Sequence, residues 1–499
     1  MKKSIFILFL SILLSLLSIL ISCGGSAGEK TNDGGEPAEP ANIEGIPESE
    51  TDKSDKNEKI IYTDDLEEFD FGGHEYTMLT RNTTWYRGLW NVEHETGDVL
   101  DDAIYRRNRR VEDRFNFTFK EIPGSGDASV VERNARNSIL AGDNEYDLIT
   151  LALSSALETF IPQGYIHPVN RLPHVNLDKP YWDKKISDDI KVANKLYLAI
   201  AAYNTPLYDY VHILLFNKPM IQELALENPY ELVKSNKWTF DKFEEMGKAA
   251  LKDVNGDGKY DKDDIYGYLS RSEQVLPSFW IAANVKSVGQ DKDGVPHLTI
   301  DDRFYDVYGK ILEITRDSNI WNQHANDVEK VAGAFENNQG LFAGNTFFYV
   351  NALRAMETDF GIIPYPKWDE SQDKYYSRIE GGVATMVPVS ADDKMLERTS
   401  VILEAMACES LNNVIPAYYD VALKTKHARD EESAEMIDII FSNRVFDFGD
   451  AIWYDDVRNG VFNQMFQNNN RNLASKVESM ENKIKKRSDE LVAAFEELP

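Results

Sequence analysis

Cysteine is almost absent from this chain: Cys23 and Cys408 are the only two in 499 residues. That count excludes a disulfide framework and leaves no cysteine pair for a zinc site. Histidine is scarce as well, with eight scattered residues and no His-Glu-x-x-His, and there is no Gly-x-x-x-x-Gly-Lys phosphate loop. The one Gly-x-Ser-x-Gly, Gly24 to Gly28, has no strand in front of it and is no nucleophile elbow. Basic charge is in deficit: Lys+Arg 54 against Asp+Glu 84 leaves a formal charge of -30. Such a surface is wrong for a nucleic-acid binder and suits a well-solvated protein. Arg106, Arg107, Arg109 and Arg110 do cluster, but on an expected helix whose apolar stripe includes Leu100, Ile104 and Val111. All four are therefore expected on a solvated face. Aromatic residues are missing from position 24 to position 61.

The most informative residue that is present is Cys23. The chain opens Met1-Lys2-Lys3, runs apolar from Ile5 to Ile21 and closes with Leu20-Ile21-Ser22-Cys23-Gly24-Gly25. Two lysines, an apolar stretch and small residues at its end form an export signal. The apolar run is shorter than the ~20 residues that usually span a bilayer. Ser11, Ser15 and Ser18 weaken it further as a membrane anchor, and no basic cluster follows it. The Leu-Ile-Ser-Cys ending resembles the lipobox of bacterial lipoproteins. That resemblance implies cleavage after Ser22, a lipidated Cys23 and a protein held on the outer face of the cell membrane. Residues 24–60 are rich in Gly, Glu, Pro, Ser, Asp, Asn and Lys. They cannot bury enough apolar surface to offset their ordering entropy and read as a disordered tether, with a mean span of about 33 Å and a reach on the order of 120 Å.

With Cys23 committed to lipid, Cys408 has no partner within the chain and reads as a small buried hydrophobe in the apolar helical segment from Val401. Stability then rests on a core, and the mature length exceeds what one core usually supports, so two lobes are expected. Glu75–Thr80 reads as a strand, followed by a helix at about 98–114 and a second strand in the alternating Phe115–Phe119. A helix at about 129–141 and a strand at Tyr146–Leu151 come next. This alternation argues for an α/β lobe on a mostly parallel sheet. Leu196–Ala201 is strand-like and leads through Asn204 and Pro206 into the strand-like Val211–Lys218, a chain crossing between lobes. Thr239 is a good N-cap for a helix burying Phe243, Met246 and Ala250. In the last segment Val477, Met480, Ile484, Leu491 and Phe495 are spaced for one buried helical face.

The sharpest chemical motif is Asp253 to Asp264. Side-chain oxygens fall at loop positions 1, 3, 5, 9 and 12 (Asp253, Asn255, Asp257, Asp261 and Asp264), with Gly258 at position 6 for a sharp turn and the Lys259 carbonyl at position 7. Hard Ca²⁺ takes six to eight oxygens, and this spacing can wrap them around one point. Asp264 stands where a bidentate Glu is common, so the pattern resembles the dockerin form of the loop. The expectation is a structural Ca²⁺ that stiffens the loop; the alternative is a Gly-rich turn with no ion.

Several segments in order resemble the extracellular solute-binding proteins of bacterial ABC importers, in the carbohydrate-associated family that includes maltose-binding protein. They are Asn134 to Gly142 with Tyr146-Asp147-Leu148-Ile149, Gln163 to Val169, Leu215-Phe216-Asn217-Lys218, Lys237-Trp238-Thr239-Phe240, the 253–264 loop, Phe335 to Gly344, and Asp359 to Pro366. The resemblance implies an α/β, two-lobed periplasmic-binding-protein-like fold with a ligand cleft between the lobes. On that pattern residues 1–22 are the signal peptide, 23–60 the lipidated cysteine and tether, 61–205 and 381–440 one lobe, and 206–380 and 441–499 the other. It implies a monomeric, non-catalytic receptor with three partners: a carbohydrate, an ABC permease and the bilayer. The cleft residues it points to are Arg81, Trp85, Asn204, Asp209, Tyr210, Trp280, Phe347, Phe348, Glu380 and Trp453. Carbohydrate sites combine aromatic faces with carboxylates and amides that bond hydroxyls, and loops and junctions supply them. Core packing is the alternative for each aromatic. Two other functions stay open: an exported glycoside hydrolase, which needs two carboxylates roughly 5–10 Å apart, and a sensing lipoprotein of the same fold.

Overall fold

The computed structural model describes residues 60–81, 90–423 and 431–498. The chain begins as its patterning dictates. β1 (His74–Arg81) buries Tyr76 and Met78 to Thr80, and the Val99–Phe115 helix follows, capped by Asp98. That helix takes Phe115 into its last turn and ends at Asn116, whose left-handed backbone (φ 52) turns the chain into β2 (Phe117–Gly124). The Ala128–Ala141 helix ends on Gly142, again left-handed at φ 66, and β3 (Leu148–Ala152) is almost wholly buried.

Beyond β3 come short strands: β4 (Ile166–His167), β5 (Trp182–Asp183) and β6 (Ile200–Ala201). The expected strand from Leu196 is thus only its last two residues, because its partner β5 is two residues long. After the crossing at 202–211 the chain forms β7 (His212–Asn217), buried at every position. The Phe240–Ala250 helix starts where Thr239 Oγ1 accepts the Lys242 amide, and it buries Phe243, Met246 and Ala250. Then follow β8 (Tyr266–Leu269), the Ser272–Ala282 helix, and the β9 (Val288–Gln290) and β10 (Pro296–Leu298) hairpin. After them come β11 (Gly340–Thr346), β12 (Phe360–Ile363), β13 (Ser377–Arg378), β14 (Val383–Pro388) and β15 (Arg444–Val445).

Two central sheets result. One has the order β2-β1-β3-β14-β4, with β1 parallel to β2 and β3, and β14 antiparallel to β3 and β4. The other has the order β12-β7-β11-β8, with β7 antiparallel to both neighbours and β11 parallel to β8. Helices lie against each sheet, so each carries its own layered α/β packing. The chain leaves the first sheet after β4, forms the separate β5-β6 pair, and returns through Ile379–Gly382 into β14; Val211 and Ile379 form a β-bridge where the outgoing and returning connections run side by side. The Asp393–Glu409 helix packs on the Val99–Phe115 helix beside the first sheet, while Glu431–Ser442 packs on β12 of the second.

The closing helix, Leu473–Glu496, buries Met480, Ile484, Leu491 and Phe495, and Val477 is half-buried. Cys408 is buried; burial pushes its thiol up to about 12, and Sγ lies 3.3 Å from the Tyr62 carbonyl. One expectation is corrected here. Arg107 is fully buried, with Nη2 donating to the Trp90 carbonyl (3.2 Å) and Nη1 to Ser410 Oγ (3.2 Å). It sits three residues from Ile104 and four from Val111, and so on the buried stripe of its helix. Among the described residues no helix is long and apolar enough to cross a membrane.

Candidate functional site

The two connections that run side by side place a polar cluster where the sheets meet. His212 opens β7 and pairs in register with Thr346 at the end of β11. Arg378 and Glu380 stand two residues apart, so extended backbone sends both toward β7. Arg378 is fully buried and clamps Asp450 with two bonds, Nε to Oδ2 at 2.6 Å and Nη2 to Oδ1 at 2.9 Å. Its Nη1 donates to Gln274 Oε1 and lies 2.8 Å from His212 Nε2. Gln274 Nε2 donates to Glu380 Oε1 (2.8 Å), Arg458 Nη1 reaches the same oxygen at 3.5 Å, and His212 Nε2 lies 3.0 Å from Oε2. Arg271 Nη2 stands 3.8 Å from Oε2 and its other end pairs with Glu273 at 3.0 Å. Glu380 and Arg271 keep a window, their side chains 18% and 23% exposed, against none for His212, Arg378 and Asp450.

Charge follows geometry. Burial raises the Glu380 carboxyl, but the Arg458 and Arg378 guanidinium charges beside it outweigh that and hold the group well below the usual carboxylate range. Burial and the positive charge of Arg378 lower the His212 imidazole to about 3, against the opposing pull of Glu380. At neutral pH Glu380 is thus an ionised acceptor and His212 a neutral ring. Around them stand Tyr349, which is buried and within electrostatic reach of Arg271 and Glu380, and half-buried Tyr454, whose ring lies 5.5 Å from the Arg458 guanidinium. A part-open carboxylate, flanking guanidinium donors and tyrosine edges form a surface suited to hydroxyl-bearing solutes.

The other expected cleft residues fall as follows. Tyr210 is half-buried and its carbonyl accepts the Glu380 amide (3.1 Å). Asp209 and Phe347 meet at Tyr418: Asp209 Oδ1 accepts its hydroxyl at 2.6 Å and the Phe347 ring centroid lies 6.0 Å from it. Phe348 is half-buried beside Tyr349. Asn204 is buried, its Oδ1 accepting the Ala201 amide and its Nδ2 donating to the Val383 carbonyl (3.4 Å), which ties the outgoing connection to the returning one. Arg81 is half-buried, with Nε donating to the Gly126 carbonyl. Trp280 is buried between Phe304 and Phe462 and its indole donates to Asp447 Oδ2 at 3.0 Å. Trp453 is buried on Phe448 with the Arg487 guanidinium 5.2 Å above its ring. Trp85 and Cys23 lie outside the described residues.

Sequence reading missed Arg271, Gln274, His212, Arg378, Asp450 and Arg458. Two signals were available: His212 is a polar residue heading the apolar run Ile213 to Phe216, and Arg378 shares a strand face with Glu380.

In the 253–264 loop the side chains hold backbone. Asp253 accepts the Gly256 and Gly258 amides (2.7 Å each), Asn255 that of Asp257, Asp257 that of Lys259 and Asp261 that of Asp263. Fully buried Asp264 accepts the Val254 and Asp261 amides, which lower its carboxyl. Gly256 and Gly258 take left-handed backbone at φ 73 and 79. Among the described residues no group of three or more His, Cys, Asp or Glu side chains converges to hold a metal ion.

No protein-family model matches the chain, and no curated protein matches it in sequence. Solved structures do share its architecture. A sugar transporter of Rhizobium etli in an open conformation superposes with a TM-score of 0.54 at 12% identity, over 85% of this chain and 100% of that one. UgpB of Mycobacterium tuberculosis in complex with glycerophosphocholine gives 0.53 at 15%, over 85% and 98%. An ABC substrate-binding protein of Listeria monocytogenes in complex with cycloalternan gives 0.50 at 12%, over 85% and 99%. At such identities the likeness establishes the fold: the two-lobed architecture of periplasmic-binding-type proteins.

Proposed function

We propose that this chain is a lipid-anchored extracellular receptor that binds a carbohydrate between its lobes and passes it to an ABC permease. The observation that carries the reading is Glu380, an ionised carboxylate at the lobe junction, held from behind by buried partners and open on one side. Pockets favour domain junctions, and an acceptor-only carboxylate suits a ligand that brings hydroxyl donors. The fold supports a binding role, and its likeness to a sugar transporter and an ABC substrate-binding protein supports import. The Leu-Ile-Ser-Cys23 ending and the 24–60 tether support the anchor. Thermal melting against maltose, maltotriose, cycloalternan and glycerophosphocholine tests the reading. A ligand at ~100 times its dissociation constant adds about 2.7 kcal/mol. A sugar that raises the midpoint and is recovered intact supports the receptor; a cleaved sugar supports a hydrolase, and a response to glycerophosphocholine alone replaces the sugar.

A second proposal concerns the 253–264 loop, taken as a structural Ca²⁺ site. It is supported by the oxygen spacing and by the two left-handed glycines that curl the loop. The ion has to displace amides from Asp253, Asp257 and Asp261, so affinity in the weak extracellular range, ~10⁻⁴–10⁻³ M, is expected.

A further inference from the structure

Two neighbours compete for one nitrogen of His212. Arg378 Nη1 lies 2.8 Å from Nε2, and Glu380 Oε2 lies 3.0 Å from the same atom. A guanidinium can only donate, and an ionised carboxylate can only accept. A neutral imidazole offers at Nε2 either a lone pair or a hydrogen, so it satisfies one of these partners and opposes the other. An imidazolium would set its N–H against the arginine's, and the depressed basicity of this buried ring already disfavours it.

Packing decides which partner gives way. Arg378 is fully buried and fixed by two bonds to Asp450, itself fully buried. Its position is set, and a buried guanidinium N–H without an acceptor is costly. Glu380 is the exposed member of the trio; among the described residues the other donors within hydrogen-bond range, Gln274 and Arg458, both reach its Oε1, while Arg271 Nη2 stands off from Oε2 at 3.8 Å. On the far side of the ring, Ser278 Oγ lies 3.3 Å from Nδ1 and can accept a hydrogen there. Nε2 therefore accepts from Arg378, and Nδ1 carries the proton toward Ser278.

We infer that His212 is a positioning residue for Glu380: fixed with its proton on Nδ1, it denies Oε2 a hydrogen and leaves that oxygen to accept a hydroxyl of the bound solute. The assignment rests on the carbohydrate reading of the cleft for its ligand, but its proton position is a property of the free protein. It also names the ligand chemistry at this point: a hydroxyl donor, with carboxylate and phosphate groups repelled from Oε2.

Long-range ¹H–¹⁵N correlation of the intact protein with labelled histidines, at pH 7 and without sugar, tests it. The His212 signals are identified by their loss in His212→Gln; should that variant not fold, Ser278→Ala identifies them by perturbing Nδ1. The expected pattern is an amide-like Nδ1 bearing the proton and a pyridine-like Nε2. Glu380→Gln should leave this pattern unchanged, because the carboxylate was not receiving the proton. A proton on Nε2, a doubly protonated ring, or a tautomer that swaps in Glu380→Gln overturns the assignment. Because no sugar is present, that outcome is distinct from a failure of the sugar panel.

Discussion

Arg378 and Asp450 face each other with no solvent exposure on either side chain, joined by parallel bonds of 2.6 and 2.9 Å. The pair fixes Arg378 Nη1, and through it His212 and Gln274, behind Glu380. Geometry at the open carboxylate is thus set by groups that are themselves buried.

Removing one partner strands the other charge in the interior. Asp450→Leu is expected to cost about 3–5 kcal/mol. Arg378→Met with Asp450→Leu should recover part of that loss, since neither charge is then left unpaired. Urea unfolding midpoints of the three proteins check this; a double variant less stable than the single one contradicts it.

Acid should expose His212. Its folded pKa of about 3 lies below the ordinary 6.5, so the unfolded chain binds the extra proton between those values. Stability from this group is fully present above pH 6.5 and is lost as pH falls toward 3. The slope from one such group reaches about 1.4 kcal/mol per pH unit. Wild type should therefore lose stability faster than His212→Gln between pH 6.5 and 4, measured by melting at matched ionic strength. Parallel curves would assign the acid lability to other groups.

For the 253–264 loop, excess Ca²⁺ over chelator is expected to raise the melting temperature of wild type. The double variant Asp257→Ala and Asp261→Ala removes oxygens at loop positions 5 and 9 and should abolish that shift. An equal calcium response in both proteins places the ion elsewhere, and none in wild type removes the site.

Solute should also favour a closed arrangement of the lobes, through higher affinity for the closed state than the open one. Small-angle scattering with and without the sugar found by melting is expected to show a smaller radius of gyration in complex. An unchanged curve under saturation contradicts closure.

Much of the fold was legible because it rests on local rules. The Thr239 cap and the stripe from Met480 to Phe495 each report a cap or a period that the chain then adopts. Arg107 shows where residue type misled: periodicity placed it on the buried stripe, while its charge suggested water. The site was less legible for a different reason. Gln274, Arg378 and Asp450 act on one another across sequence separations of 104 and 72 residues, and nothing local marks them. Trp280 and Trp453 show the converse, since aromatic residues near a junction carry the same sequence signal whether they pack in the core or face a solute.

The most direct test of the central claim is calorimetric titration of the sugar found by melting into wild type and Glu380→Gln side by side. A hydrogen bond to a charged group contributes about 1.5–3 kcal/mol, so the variant should bind roughly 10- to 100-fold more weakly while melting as a folded protein. Equal affinity in the two proteins would remove Glu380 from the site and contradict the account.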